Sequence, residues 1–191
     1  MSKFNHFSVL APVYEKYIAP QIPEKLIALA KLPVNGNILD VGGGTGRVSQ
    51  FLSSYANHVF LADQSYAMTL ESRKKDSLQP VCSESERLPF PSNTFERIIM
   101  VDALHHVNQQ EHTLNELWRI TKPGGLLIIE EPDIRTFYVK LIALAEKLAL
   151  MRSHFLAPDI IADHFSQLPG TVHIERDKTT AWVIVAKPVI N

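Results

Sequence analysis

Short apolar runs alternate along the chain with longer stretches in which apolar residues recur every three or four positions. This alternation predicts an α/β fold in which helices cross over between the strands of a sheet. The strand candidates are Asn37–Val41, His58–Ala62, Pro80–Cys82, Glu96–Val101 and Leu126–Glu130. The first of them is apolar except at its ends, which is typical of a strand buried on both faces.

The stretches between these strands have helical periodicity. Helices are predicted from near Thr45, from Ser65 to about Lys75, over Gln109–Thr121 and Ile134–Leu150, and from Pro158 to about Gln167. Two more, Val9–Ile18 and Pro23–Leu32, precede the first strand. The dipeptide Gly124-Gly125 after Pro123 predicts a turn that leads into Leu126–Glu130.

The last two strand candidates are Thr171–Arg176 and Ala181–Ala186. Because only a short polar turn separates them, we expect antiparallel pairing and no crossover. The pattern therefore predicts one mostly parallel seven-stranded sheet with an antiparallel C-terminal strand. A chain of 191 residues suits a single domain.

The composition is that of an ordinary globular protein, with 46% hydrophobic residues, 20% charged residues and a net charge of −1. This balance gives no general attraction to nucleic acid, so we expect no nucleic-acid partner. A single cysteine, Cys82, excludes an intrachain disulfide and is expected to be a small buried residue. No leader-like or membrane-spanning run is visible, which predicts a cytoplasmic protein. The sequence leaves the oligomeric state open.

The first strand leads directly into a glycine-rich loop with Gly42, Gly43, Gly44 and Gly46. A strand, a glycine loop and a helix form the site at which open α/β sheets bind adenosyl cofactors. A dinucleotide fingerprint would need a third glycine where the chain has Arg47, and a Walker lysine is missing. The alternative is a glycine-rich turn that binds nothing.

An acid, Asp40, lies two residues before the first glycine. A carboxylate there would repel a pyrophosphate but can serve an ammonium group, which S-adenosylmethionine carries on its methionine part. Asp63, at the end of the second strand, can accept both ribose hydroxyls, although it could instead cap the helix at Ser65. Glu84, beside Ser85 after the third strand, can accept the exocyclic amine of adenine or belong to a solvated loop.

Together these features resemble the class I S-adenosylmethionine-dependent methyltransferases, and in particular the small-molecule group that includes the ubiquinone/menaquinone biosynthesis C-methyltransferases. The matching segments are ILDVGGGTGRVSQFL (Ile38 to Leu52), LADQSYAM (Leu61 to Met68), SESERLPFPSNTFERIIMVDALHHV (Ser83 to Val107) and ITKPGGLLIIEEP (Ile120 to Pro132). They cover about half the chain, in order. The resemblance implies the three-layer Rossmann-like methyltransferase fold and S-adenosylmethionine as cofactor.

The resemblance also implies roles for individual residues. It implies that the glycine loop with Asp40 holds the methionine part, that Asp63 binds the ribose, and that Glu84 and Ser85 contact the adenine. Gln64 stands where the family usually has an apolar residue over the adenine, and Glu84 where it usually has aspartate. The complete set of expected cofactor contacts is Asp40, Gly42, Gly43, Gly44, Gly46, Asp63, Gln64, Glu84, Ser85 and Asp102.

Residues after the fourth strand are expected to line the methyl-donating end of the cleft. A histidine there, His105 or His106, could take a proton near neutral pH, or both could be structural groups near the helix at Gln109. Glu130 and Glu131 end the fifth strand, where they could orient a substrate, although we expect a solvated loop pair. His154, Asp159, Asp163 and His164 show no zinc signature, so no metal site is predicted.

The substrate cap is expected in the segments that vary on this scaffold. These are an N-terminal helical lid over residues 1–35 and a second cap over residues 132–168, both rich in large apolar side chains. Such a cap suits a small apolar or aromatic acceptor, although the same side chains could simply pack against the sheet. Two other functions remain open: a cofactor-binding protein without catalysis, such as a sensor or assembly partner, and a nicotinamide-dependent oxidoreductase.

Overall fold

A single seven-stranded sheet organises the computed structural model, which describes Ala11, Glu15 and residues 22–137, 139–140 and 154–189. The strand order is β3-β2-β1-β4-β5-β7-β6. Strands β1 to β5 run parallel, and β7 pairs antiparallel with both β5 and β6. The predicted fold class, including the antiparallel C-terminal strand, is confirmed.

The strands and helices follow the predicted order closely. The strands are β1 (Asn37–Val41), β2 (His58–Asp63), β3 (Leu78–Cys82), β4 (Phe95–Val101), β5 (Thr121–Pro132), β6 (Thr171–Asp177) and β7 (Thr180–Ala186). The α-helices are α1 (Glu24–Leu29), α2 (Tyr66–Ser72), α3 (Gln110–Ile120) and α4 (Pro158–Ser166), and two 3₁₀ helices span Ser49–Tyr55 and Leu104–His106. The predicted helix Val9–Ile18 and most of Ile134–Leu150 lie outside the described residues.

Alternate residues of the central strands pack against opposite helical layers. In β5, Leu127 and Ile129 join a cluster with α3 and α4, whereas Leu126 and Ile128 join a cluster with α1 and the first 3₁₀ helix. Because side chains alternate between faces with a period of two, a fully apolar strand supplies both layers. The result is the expected three-layer arrangement.

The segment after the glycine loop differs from the predicted helix at Thr45. Gly46 has a φ of 80°, within a run of turn residues, and a 3₁₀ helix begins only at Ser49. A left-handed residue interrupts an α-helix. The glycine that shapes the loop therefore delays the helix.

The predicted turn at Gly124-Gly125 is instead an irregularity within β5. The strand begins at Thr121, and its register with β4 shifts between the pairs Phe95↔Thr121 and Arg97↔Leu126. The extra residues of β5 bulge out of the ladder, as in a β-bulge. Within the described ranges, no helix has both the length and the apolar character that a membrane crossing requires.

Candidate functional site

A cleft opens at the edge of the sheet where the carboxyl ends of β1, β2, β3 and β4 meet. This is the switch point of the sheet, since β1 leads to β2 on one side and borders β4 on the other. Nine of the predicted site residues line it: Asp40, Gly42, Gly43, Gly44, Asp63, Gln64, Ser85, Asp102 and His106. Gly46, Glu84 and His105 are outside this lining.

Asp40 lies beneath the glycine loop and is 1% exposed. The Ser49 hydroxyl donates to its Oδ2 atom, while among the described residues its Oδ1 atom has no hydrogen-bond partner. Burial, reinforced by the nearby charge of Asp63, raises the pKa of Asp40 to about 6. A buried carboxylate oxygen without a donor is costly, so this position favours a cationic ligand that donates hydrogen bonds.

Gly42 forms the close contact between the glycine loop and the residues after β4. Its φ is 74°, and a Cβ atom at this position would lie 2.5 Å from the Cβ of Ala103. Its N–H donates to the carbonyl of Ala62 at 2.7 Å, which ties the loop to β2. The glycine loop therefore leaves a space at Gly42 that any side chain at this position would fill.

Asp63 supports the same loop from the end of β2. Its Oδ2 atom accepts from the Gly44 N–H at 2.9 Å, and its Oδ1 atom accepts from the Ser65 N–H at 2.7 Å. Burial raises its pKa, and the two N–H groups oppose that rise. Each carboxylate oxygen retains acceptor capacity. Ser65 itself caps α2, because its Oγ atom accepts from the Met68 N–H, so the capping role weighed for Asp63 is wrong. The remaining acceptor sites of Asp63 suit the expected ribose contact.

Asp63→Ala is expected to weaken the binding of S-adenosylhomocysteine by about 1–3 kcal/mol, because the ribose hydroxyls lose a charged acceptor. Asp76→Ala, which removes an exposed carboxylate just after α2, is the matched control. Titration calorimetry of both variants measures the difference. An Asp63→Ala protein that binds as tightly as the control would show that the ribose assignment is wrong.

The segment after β3 presents Ser83, Ser85 and Glu86 to the cleft, whereas the side chain of Glu84 is exposed. The carbonyl of Glu84 accepts from the Arg87 N–H in a turn, and this turn brings Glu86 inward. The Oγ atom of Ser83 is buried and has no hydrogen-bond partner among the described residues. Ser83 and Glu86 were not predicted from the sequence. Each is adjacent to a predicted residue, since Ser83 precedes Glu84 and Glu86 follows Ser85.

His105 and His106 differ in their position relative to the cleft. His106 lines the cleft, and burial lowers its pKa to about 4, so the imidazole is neutral at pH 7. His105 is 4% exposed and lies behind it, with its Nδ1 atom 2.5 Å from the Oε2 atom of Glu131.

The expectation of a solvated pair at Glu130 and Glu131 is wrong. Glu131 is 4% exposed, and its Oε1 atom accepts from the N–H groups of Ala103 and Leu104. Glu130 accepts from the Trp182 indole N–H at 2.7 Å, and burial raises its pKa. Both acids are held within β5, because this strand continues to Pro132 and pairs with β7 along this length.

The structure also shows the surroundings of Cys82 and of the residues considered as metal ligands. Cys82 is exposed, not buried as expected, because it ends the edge strand β3. Asp159 pairs with Arg135 and Arg176, and His164 contacts Asn115. Within the described part of the chain, no group of three or more potential metal ligands is brought together.

The acids of the cleft far outnumber its cations. Asp40, Asp63, Glu86 and Asp102 line it, and Arg47 is the one arginine or lysine among the described lining residues. With the glycine cradle at a switch point, this defines a nucleoside-binding site of an α/β protein that selects positive charge and disfavours phosphate.

Comparisons with known proteins point to methyltransferases. A family model described as "Methyltransferase domain" matches residues 39–129. The ubiquinone/menaquinone biosynthesis C-methyltransferase UbiE of Coxiella burnetii is 32% identical over 115 residues, which cover 55% of this chain and 46% of that protein. The UbiE protein of Salmonella arizonae is 29% identical over 165 residues, 78% of this chain and 63% of that protein. The chain thus spans about half the length of the curated relatives it matches.

The fold matches a chain in the structure of the complex between the Haloferax volcanii Trm112 methyltransferase activator and a methyltransferase. The TM-score is 0.80 at 18% identity, over 98% of this chain and 100% of the other. The chain is thus similar to a methyltransferase domain over residues 39–129, and its fold is similar to that of methyltransferases. S-adenosylmethionine fits the cleft, because the Asp40 oxygen that has no partner among the described residues can accept from its ammonium group and the loop at Gly42 leaves room for it.

Proposed function

We propose that the protein transfers the methyl group of S-adenosylmethionine to a small apolar or aromatic acceptor. The observation that carries the proposal is the buried Oδ1 atom of Asp40 beneath the glycine loop, which has no hydrogen-bond partner in the part of the chain that the structure describes. It calls for a cationic, hydrogen-bonding ligand of the kind that the family's cofactor provides. The relatives named as ubiquinone/menaquinone C-methyltransferases support an electron-rich ring of quinone type as the acceptor.

Each part of the cleft has a proposed role in holding the cofactor. Asp40 and the glycines at 42, 43, 44 and 46 hold its methionine part, Asp63 holds the ribose, and the segment with Gln64, Glu84 and Ser85 contacts the adenine. Glu86, which lines the cleft, is added to that last group. When bound, the cofactor supplies a methyl carbon on a positively charged sulfur, which an electron-rich acceptor atom can attack.

The chain's own residues contribute position and proton transfer. Asp102, Ala103 and His106 form the wall after β4, and this wall aligns the acceptor while excluding water. His106 lines the cleft and, with its pKa lowered to about 4 by burial, is neutral at pH 7, which is the protonation state that a general base requires. Of the two candidate bases, His106 is the proposed one, and His105 supports it from behind.

The test is an assay with isotope-labelled S-adenosylmethionine and a panel of hydroquinones, phenols and amines, read by mass spectrometry. We expect a methylated product from apolar ring acceptors. In His106→Gln, kcat should fall by about 100-fold, as is typical when a general base is lost, while the KM for the cofactor stays unchanged. Tight cofactor binding without any product across the panel would instead support the alternative of a non-catalytic sensor or assembly protein.

A further inference from the structure

Glu131 is a buried carboxyl group at the carboxyl end of β5 that accepts three hydrogen bonds from one segment. Its Oε1 atom accepts from the Ala103 N–H at 3.0 Å and the Leu104 N–H at 2.8 Å. Its Oε2 atom lies 2.5 Å from the Nδ1 atom of His105. If the carboxyl group accepts here as it does from the two backbone N–H groups, the Nδ1 atom of His105 carries the shared proton.

The segment that Glu131 holds forms one wall of the cleft. Asp102, which has a φ of 50°, Ala103 and His106 all line the cleft. Ala103 also packs against Gly42 so closely that no Cβ atom fits between them. A shift of this segment by a fraction of an ångström would therefore change the space available beside the glycine loop.

The His105 ring, which Glu131 contacts, packs against two aromatic neighbours. Its ring is stacked on Phe155, with centroids 4.4 Å apart and planes at 10°, and lies 4.0 Å from the centroid of His106. The His105 carbonyl accepts from the His154 N–H at 2.7 Å. One carboxyl group thus connects the cleft wall, the candidate base and the part of the second cap segment at His154 and Phe155.

We propose that Glu131 is a positioning residue for methyl transfer, with separate tasks for its two oxygens. The Oε1 atom fixes the backbone of the wall beside the glycine loop, and the Oε2 atom fixes the tautomer and plane of His105, against which His106 rests. This inference rests on the proposed function. It assigns a role to a residue that contacts neither the acceptor nor the cofactor.

Two substitutions of Glu131 distinguish the role of its Oε1 atom from that of its Oε2 atom. The carbonyl oxygen of Glu131→Gln can still accept both backbone N–H groups, but its NH₂ group then faces His105 and favours the tautomer with the proton on Nε2. Glu131→Ala removes both functions and takes the acceptor away from the part-buried Ala103 N–H and the buried Leu104 N–H. Glu116→Gln and Glu116→Ala are the matched controls, because Glu116 is a carboxylate of α3 that also accepts a backbone N–H, that of Leu88 at 2.8 Å.

The experiment combines titration calorimetry with S-adenosylhomocysteine, thermal unfolding, and long-range ¹H–¹⁵N spectra of the histidine rings. In Glu131→Ala we expect the Kd to rise about tenfold, the effect of losing one well-placed buried hydrogen-bond acceptor. In Glu131→Gln the Kd should stay near the wild-type value, while the His105 spectrum changes from the Nδ1–H to the Nε2–H pattern. With an acceptor in hand, kcat should fall in Glu131→Gln at unchanged cofactor KM.

Three results would overturn the proposal. They are an Ala variant that is folded and binds as tightly as the wild type, a Gln variant in which His105 keeps the Nδ1–H pattern, and an equal loss of binding in Glu116→Ala. A wild-type protein that binds no S-adenosylhomocysteine would contradict the proposed function itself. That outcome is distinct, because the two binding results require a wild type that binds, and the His105 spectrum does not depend on the cofactor.

Discussion

Replacing Asp40 with asparagine is expected to make the protein more stable at pH 7.5 and to weaken its binding of S-adenosylmethionine. Burial raises the pKa of Asp40 from 3.8 to about 6, so ionising this carboxyl group in the folded protein is unfavourable. The shift corresponds to about 2–3 kcal/mol. Asparagine does not ionise and avoids this penalty, but it offers the ammonium group no charge, which should weaken binding by about 10–100-fold.

The sign of the pH dependence follows from the direction of the shift. Between pH 3.8 and about 6 the folded protein binds this proton more tightly than the unfolded chain, so Asp40 lowers stability progressively as the pH rises through that window. Urea unfolding of wild type and Asp40→Asn at pH 4 and pH 7.5 measures the effect. The stability difference between the two proteins should grow from low to high pH, and Asp76→Asn, at an exposed position, is the control for the loss of one carboxyl group. A pH-independent difference for Asp40→Asn would contradict the raised pKa of the buried Asp40 carboxyl group.

The second large effect is expected at Gly42. In Gly42→Ala the new Cβ atom meets the Cβ of Ala103 at 2.5 Å, and the backbone at a φ of 74° is unfavourable for alanine. Overpacking and left-handed strain together predict a loss of about 2–4 kcal/mol in the free energy of unfolding. Cofactor binding should be lost as well, because relief of the clash must move either the glycine loop or the opposite wall.

Two further variants separate steric contact from backbone strain. Gly44 has a φ of 57°, but a Cβ atom there would meet only the Met68 sulfur, at 3.9 Å. Gly44→Ala should therefore lose only about 1–2 kcal/mol of stability. In the double variant Gly42→Ala/Ala103→Gly the clashing atom is removed, and about half of the lost stability should return. Urea unfolding would contradict this account if the double variant were less stable than Gly42→Ala.

The apolar periodicity was sufficient to predict the sheet, because buried parallel strands are recognisable as continuous apolar runs. It was insufficient where glycine changes the backbone locally. Gly46 appeared to lie within a helix and instead terminates a loop, and Gly124 appeared to form a turn and instead lies in a bulge of β5. In both cases the backbone angle depends on pairing with other segments, which local composition does not encode.

In the candidate site, too, some residues could be predicted from the sequence and others could not. Asp40 and the glycine loop could be predicted, since strand, acid and glycines are contiguous. The burial of Glu131 could not, because a glutamate at a strand end has the same local pattern whether it is solvated or accepts hydrogen bonds from a distant segment. Its donors, Ala103 and Leu104, are 28 and 27 residues away in the sequence. The inward position of Glu86, in place of Glu84, likewise depends on a turn after β3.

The central claim is that the acid-lined glycine cleft binds a sulfonium nucleoside through its amine. Titration calorimetry of the wild-type protein with S-adenosylmethionine, in two buffers of different ionisation enthalpy near pH 6, tests it most directly. The account predicts binding at one site with release of protons, because the ammonium group lowers the pKa of Asp40, and no proton release near pH 8. An absence of binding at millimolar cofactor, or binding with no proton release near pH 6, would contradict it.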